Sequence, residues 1–332
     1  MLYKSLVVIK KQKGKLKSDM VINDIQHEVK KAVIGKDEII KRVLTAILAK
    51  GHVLLEDVPG VGKTTMALAF ARTLGLECKR IQFTSDTMPS DVLGFSVYDK
   101  QSGKLSYKPG AVMTNLLLAD ELNRTSGKTQ SALLEAMEEG RVTIDGVTHA
   151  LPNPFIVIAT ENPIGSAGTQ LLPASQLDRF LFKLSMGYPD RESQIAIMKD
   201  RHHANPLDAI KPQANIASLN ALIEETESVH VADSVYAYIA ELIESTRSHP
   251  FIQCGVSPRG ALALCRAAKA TARIEGRDFV TPDDVCEVFP YVCCHRFILN
   301  AKARLRSKDE LSIAEELLTA CKKPNSREFS LK

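Results

Sequence analysis

Between residues 50 and 185, short apolar runs alternate with segments whose apolar positions recur every three to four residues. The runs HVLLE (52–56), KRIQFT (79–84), NLLLAD (115–120), PFIVIAT (154–160) and FLFKL (180–184) are the length of strands. Most show little apolar–polar alternation, the texture of strands covered on both faces. Five buried strands with crossovers predict a parallel α/β sheet. After the turn-like GYPD (187–190) the strand pattern stops, and helical periodicity predicts helices near 215–227, 231–247, 258–276 and 282–299. Thr281-Pro282-Asp283-Asp284 reads as a cap, a first-position proline and acids in the first turn. The expected organisation is a basic tail (1–19), an α/β core (20–204), an all-α domain (205–322) and a short C-terminal tail (323–332).

Charge changes this picture only at the amino end. The chain carries a net charge of +4 over 332 residues, yet Lys4, Lys10, Lys11, Lys13, Lys15 and Lys17 lie in the first 18 residues with no acid among them. The rest of the chain is net negative and has no basic stripe interleaved with aromatics, so nucleic acid is not an expected partner. Met20 is a candidate start, and the tail shows neither the apolar stretch nor the cleavage site of a secretory signal. No apolar run approaches the roughly 18 residues that a membrane span needs. The seven cysteines, none in C-x-x-C spacing, mostly sit in apolar surroundings. That usage suits buried free thiols in the cytosol rather than disulfides or a metal site.

The chemistry begins at LLEDVPGVGKTT (54–65). The phosphate-loop pattern G-x-x-x-x-G-K-[ST] is met at Gly62, Lys63 and Thr64, but Asp57 replaces the first glycine. The amides that face an anion belong to the turn and helix start, here Gly60, Val61, Gly62, Lys63, Thr64 and Thr65, with Pro59 opening the turn, while Lys63 reaches the terminal phosphates. A carboxylate aimed inward from roughly 8 Å would repel each phosphate charge by about 2 kcal/mol at an effective dielectric of 20, so Asp57 is expected to point outward.

Two further strand ends, one strand start and one helix start add candidates. NLLLADELN places Asp120 and Glu121 at the carboxyl edge of the sheet, where ligands of open α/β sheets bind. Asp120 and Thr64 would hold Mg2+, and Glu121 would activate a water against the γ-phosphoryl group of ATP. FIVIATENP ends in Asn162, whose amide can orient that water. SQLDRFLFK carries Arg179, whose permanent charge can neutralise a phosphoryl-transfer transition state, often from a neighbouring subunit; a structural salt bridge to Asp178 or another acid is the plainer alternative. In GVSPRGALAL, Ser257 and Pro258 start a helix and put Arg259 in its first turn, against the helix dipole, which suggests an anion nearby.

Taken together, VIGKDE, LLEDVPGVGKTT, LLLADELNRTSGKTQSALLEAMEEGRVTIDG, FIVIATENPIGSAGTQLLPASQLDRFLFK and GVSPRGALAL resemble the MoxR family of AAA+ ATPases over about residues 20–320. The resemblance implies a P-loop AAA+ core followed by an α-helical lid. In the family's terms Lys63 and Thr64 correspond to Walker A, Asp120 and Glu121 to Walker B, Asn162 to sensor 1, Arg179 to the arginine finger and Arg259 to sensor 2; Ile34 and Gly35 match the segment around the adenine. Also implied are ATP and Mg2+ as cofactors, a homo-oligomeric ring, expected to be a hexamer, client-protein remodelling and partners with von Willebrand factor A domains. Segments 95–110 and 141–151 match the extra hairpins of the clade that includes magnesium-chelatase subunits and MCM helicases, the second turning at Asp145-Gly146. The alternatives are a chelatase-like metal-insertion motor and a nucleotide-gated scaffold with little turnover.

Overall fold

The computed structural model describes residues 18–100, 103–163, 172–200 and 205–325; most of the basic tail and the last seven residues lie outside them. The strands in chain order are β1 (Val53–Glu56), β2 (Cys78–Gln82), a hairpin of β3 (Gly94–Asp99) and β4 (Lys104–Pro109), β5 (Leu116–Asp120), a second hairpin of β6 (Arg141–Ile144) and β7 (Val147–Ala150), then β8 (Ile156–Glu161) and β9 (Phe182–Leu184). Five of them form one sheet in the order β2-β5-β8-β1-β9, with every neighbouring pair parallel. These are the five runs recognised in the sequence. One detail differs: β2 is an edge strand and is only half-buried, which is why KRIQFT mixes charged and apolar residues.

The helices are α1 (18–32), α2 (Asp37–Leu48), α3 (Lys63–Thr73), α4 (Pro89–Leu93), α5 (Gly127–Glu139), α6 (Ala174–Leu177), α7 (Arg191–Asp200), α8 (Ile216–Glu227), α9 (Asp233–Ser248), α10 (Pro258–Ile274), α11 (Pro282–Cys293), α12 (Ala301–Leu305) and α13 (Glu310–Ala320). Successive strand residues alternate between two apolar layers, as the period of two demands. Val53, Leu55, Leu116, Leu118, Ile156 and Ile158 pack with α2, α3 and the helices after residue 205. Leu54, Leu117, Ala119, Val157 and Ala159 pack with Leu133, Leu134 and Met137 of α5. The sheet is therefore covered on both faces, as in other parallel sheets.

Helix α2 belongs to both parts of the molecule. Its buried Ile40, Val43, Leu44 and Ile47 join a core continuous with Leu219, Leu264, Ala267, Ala268 and Phe289. Arg42, almost wholly buried, donates to Glu287 of α11 at 2.7 Å and lies over the Tyr291 ring. Upstream, Asp19 of α1 pairs with Arg273 at 2.5 Å, so the helix is anchored before Met20.

Two expectations for the C-terminal half are corrected. Strands do not stop after residue 190: β10 (Ile252–Cys254) and β11 (Ile298–Leu299) form a small antiparallel pair. The helix expected over 282–299 ends at Cys293, because the chain turns there to place Arg296 against Asp178 and the carbonyls of Phe180 and Leu181, and then runs into β11. The caps follow the sequence: Thr281 Oγ1 accepts from the Asp284 amide, and Ser257 Oγ accepts from the Gly260 amide at 3.2 Å. Asp145 and Gly146 both take positive φ, the geometry of a tight hairpin turn.

Candidate active site

Strand β1 ends at Glu56 and the chain turns through 57–62 into α3. Gly60 and Gly62 both have positive φ, and a Cβ on Gly60 would meet nothing within 4 Å. Their left-handed backbone bends the loop back over the amino end of α3, the arrangement that turns backbone amides toward an anion. Lys63 Nζ lies under the loop, donating to the carbonyls of Asp57, of Val58 at 3.3 Å and of Glu161 at 3.5 Å. Burial pushes the ammonium below the ordinary lysine value, against the opposing pull of Asp57, Asp120 and Glu121.

Asp57 points away from this cradle. Its Oδ2 accepts from Ser185 Oγ at 2.9 Å and from the Gly187 amide at 2.6 Å, and its Oδ1 accepts from the Val58 amide at 2.8 Å. Burial works to raise its pKa, but these donors and the Lys63 charge outweigh it and hold the carboxyl below the usual value. The residue that breaks the glycine pattern thus ties the phosphate loop to the segment after β9.

The acids sit where parallel register requires. Asp120 closes β5 and Thr160 lies near the end of the adjacent β8; Thr160 Oγ1 donates to Asp120 Oδ1 at 2.6 Å and accepts from the Glu121 amide at 2.9 Å. One buried hydroxyl therefore fixes both acids. Glu121 has φ 55°, a conformation that a residue with a Cβ adopts at a cost of about 1–2 kcal/mol and that is concentrated at functional sites. Its carboxylate is paired with Arg124 at 2.6 Å. The other Asp120 oxygen, Oδ2, lies 3.5 Å from Thr64 Oγ1 and accepts from Arg80 at 2.7 Å.

Two adjoining cavities share Pro59, Gly60, Gly62 and Thr65. One, of about 310 Å³, is lined by Lys63, Thr64, Asp120, Glu121, Thr160 and Asn162. The Asn162 carbonyl accepts from Asn123 Nδ2 at 3.0 Å. The second, of about 300 Å³, is walled by Ala32, Val33, Ile34, Val61, Pro189 and Ile197. Gly35, beside it, has φ +72°, and a Cβ there would run into Ser193.

Arg179 and Arg259 are elsewhere. Both pair with Glu138 near the end of α5, Arg259 at 3.0 Å, and Arg179 also donates to the Leu134 carbonyl at 3.1 Å. Arg179 precedes β9, whereas the phosphate loop follows β1, and these strands run parallel with Val53 opposite Phe182. The arginines therefore lie at the amino edge of the sheet, where His52 also meets Met137 of α5, with the strand length of roughly 13 Å between them and the loop. Burial, and then the charge of Arg259, lower the pKa of Arg179. The partner of Asp178 is Arg296, at 2.7 Å, and not its neighbour Arg179. The anion expected beside Arg259 is a carboxylate of the same chain.

Comparison with known proteins agrees with this geometry. Residues 52–182 match the model for the ATPase family associated with various cellular activities (AAA), and residues 244–317 match the AAA lid domain. Chaperone MoxR1 of Mycobacterium tuberculosis is 41% identical, across 83% of this chain and 75% of that protein. The chain belongs to the MoxR family of AAA+ ATPases. A further relative, the uncharacterized protein YeaC of Bacillus subtilis, is 46% identical over 91% of this chain and 94% of its own length. A crystal structure described as that of an ATPase candidate from Cytophaga hutchinsonii superposes with a TM-score of 0.90 at 36% identity, covering 96% of this MoxR-family chain and all of the other. A full-length MCM homolog from Methanopyrus kandleri shares the fold alone, with a TM-score of 0.59 at 20% identity over 84% of this chain and 60% of its own. Among the described residues no helix is long and apolar enough to cross a membrane.

Sequence reasoning missed Thr160, Arg80, Arg124 and Glu138. Thr160 could have been found by aligning the ends of two neighbouring parallel strands. Nothing in the sequence marks Glu138, which lies in an ordinary charged helical turn.

Proposed function

We propose that this protein hydrolyses ATP to ADP and phosphate in a homo-oligomeric ring and uses the cycle to remodel client proteins. The observation that carries the reading is the pair of cavities joined at the glycine loop, one lined by a lysine, a threonine and two acids, the other walled by apolar side chains. A nucleoside triphosphate has that same division, a charged end and a flat apolar base. Val33, Ile34 and Pro189 would flank the base; the amides from Gly60 to Thr65 and the Lys63 ammonium would hold the phosphates.

The donor set fits Mg2+, since Thr64 and Asp120 offer a hydroxyl and a carboxylate oxygen facing each other and no sulfur or imidazole. When bound, the ion would neutralise charge on the phosphate oxygens. Glu121 would take the proton from the attacking water, and Asn162 would orient that water. Arg179 and Arg259, at the opposite edge of the sheet from the loop of their own subunit, would act on the nucleotide of a neighbour; this placement supports the ring reading. The name of MoxR1 supports the chaperone role, and a von Willebrand factor A domain protein is the partner that the family resemblance suggests. The free cysteines fit a reducing cytoplasm.

Glu121→Gln tests the reading. It should leave Mg-ATP binding within about threefold of wild type by calorimetry and remove steady-state turnover. Turnover near the wild-type rate would overturn the assignment of the base, and no binding heat at millimolar Mg-ATP would overturn the site.

A further inference from the structure

Strand β2 sends Arg80 and Gln82 into the cavity that holds Lys63 and the acids. Arg80 donates twice to one atom, Asp120 Oδ2: from Nη2 at 2.7 Å and from Nε at 3.2 Å. Nη2 also meets Gln82 Oε1 at 3.0 Å. The second Asp120 oxygen is taken by Thr160. Oδ2 is thus the oxygen nearest Thr64, the one that a cation between Thr64 and Asp120 must use, and the guanidinium already occupies it. A carboxylate oxygen has about two acceptor sites, so Arg80 and a divalent ion compete for them directly.

The competition is uneven. Asp120 is only 7% exposed, and a buried carboxylate without a partner is costly. The Arg80 side chain is half-exposed, with open cavity beside it, and such an ion pair is easily exchanged. The pair therefore suits temporary service: the acid needs a cation, and the arginine can leave.

We propose that Arg80 is a positioning residue that stands in for the metal, holding the Asp120 carboxylate in its ligating orientation and giving it up when Mg2+ arrives with nucleotide. The inference rests on the nucleotide-and-metal reading of this cavity. Released from Asp120, the guanidinium stays tethered beside Gln82, on the phosphate side of the strand.

Thermal unfolding of the full chain, with and without Mg-ADP, separates the two claims. Wild type must gain stability on adding Mg-ADP, and absence of that gain overturns the nucleotide reading itself. Given the gain, Arg80→Ala should melt on the order of 2 °C below wild type without ligand and together with wild type in Mg-ADP. In saturating ADP, Mn2+ titration followed by electron paramagnetic resonance should show metal binding three- to tenfold tighter in Arg80→Ala, with Arg80→Lys in between. An equal melting deficit in both conditions, or unchanged or weaker Mn2+ binding, would show that Arg80 only props the strand and overturn the proposal. If Arg80→Ala does not fold, Arg80→Gln carries the same comparison.

Discussion

Arg179 and Arg259 share one carboxylate, that of Glu138, although they come from the end of the α/β core and the start of a lid helix. A single acid thus couples the two arginines across the boundary between the parts of the molecule. Arg179→Ala should lower ATP turnover at least 100-fold if it serves as the proposed arginine finger, while changing the melting temperature little because Arg259 remains to pair with Glu138. Mixing it with Glu121→Gln should restore measurable activity, since some interfaces then join an intact finger to an intact base. No recovery in mixed assemblies would count against action between subunits.

Thr160 predicts a different signature. Thr160→Val keeps the shape but removes the hydroxyl that joins Asp120 Oδ1 to the Glu121 amide. Losing a buried partner costs about 1–3 kcal/mol, which urea unfolding would register, and turnover should fall at least tenfold as both acids loosen. Thr160→Ser should recover most of each loss. A valine variant with wild-type stability and rate would show that the bridge is dispensable.

For Asp57, removing the acid from the mouth of a phosphate site would naively strengthen nucleotide binding. The structure predicts the reverse. Asp57→Ala abandons Ser185 and the Gly187 amide, so the loop loses its anchor and Mg-ATP affinity should fall, with stability reduced by about 1–3 kcal/mol. Because the folded pKa lies below the ordinary value, the stabilisation is present above the unfolded pKa and disappears as pH falls through the folded one. Calorimetric affinity equal to or tighter than wild type would contradict the anchoring role.

His52 gives the clearest dependence on pH. Buried between strands and α5, it accepts from the Val157 amide at Nδ1 and faces the Met137 carbonyl with Nε2, and burial lowers its pKa to about 4. The unfolded chain takes up this proton near pH 6.5, before the folded one does, so stability should fall as pH drops from 7.5 to 5. For this residue the loss is about 2 kcal/mol. Urea midpoints at the two values check it, and His52→Gln should show a shallower fall.

Much of this architecture could be read before folding. The strands of the central sheet announce themselves because a strand covered on both faces needs uninterrupted apolar runs, and Gly62, Lys63 and Thr64 because few sequences suit a phosphate cradle. Strands β10 and β11 did not, since Ile252–Cys254 and Ile298–Leu299 are too short to show a period. Asp120 and Glu121 were legible from their place at a strand end. Their fastening by Thr160 and the engagement of Arg80 and Arg124 were not, because they depend on which strands become neighbours and on the direction of long side chains. Arg179 and Arg259 were recognisable as residue types, but their common carboxylate required the tertiary fold.

Lys36, one residue before α2, donates to the carbonyl of Tyr188 at 3.0 Å and to that of Met186, and it lines the apolar cavity. The helix that follows is welded to α11 through Arg42 and Glu287. One wall of the apolar cavity is thereby coupled to the lid, while the glycine loop is part of the sheet. Any rotation of lid against sheet would strain the Lys36 clasp and reshape the cavity, so the width of the apolar cavity and the lid angle are a single coordinate.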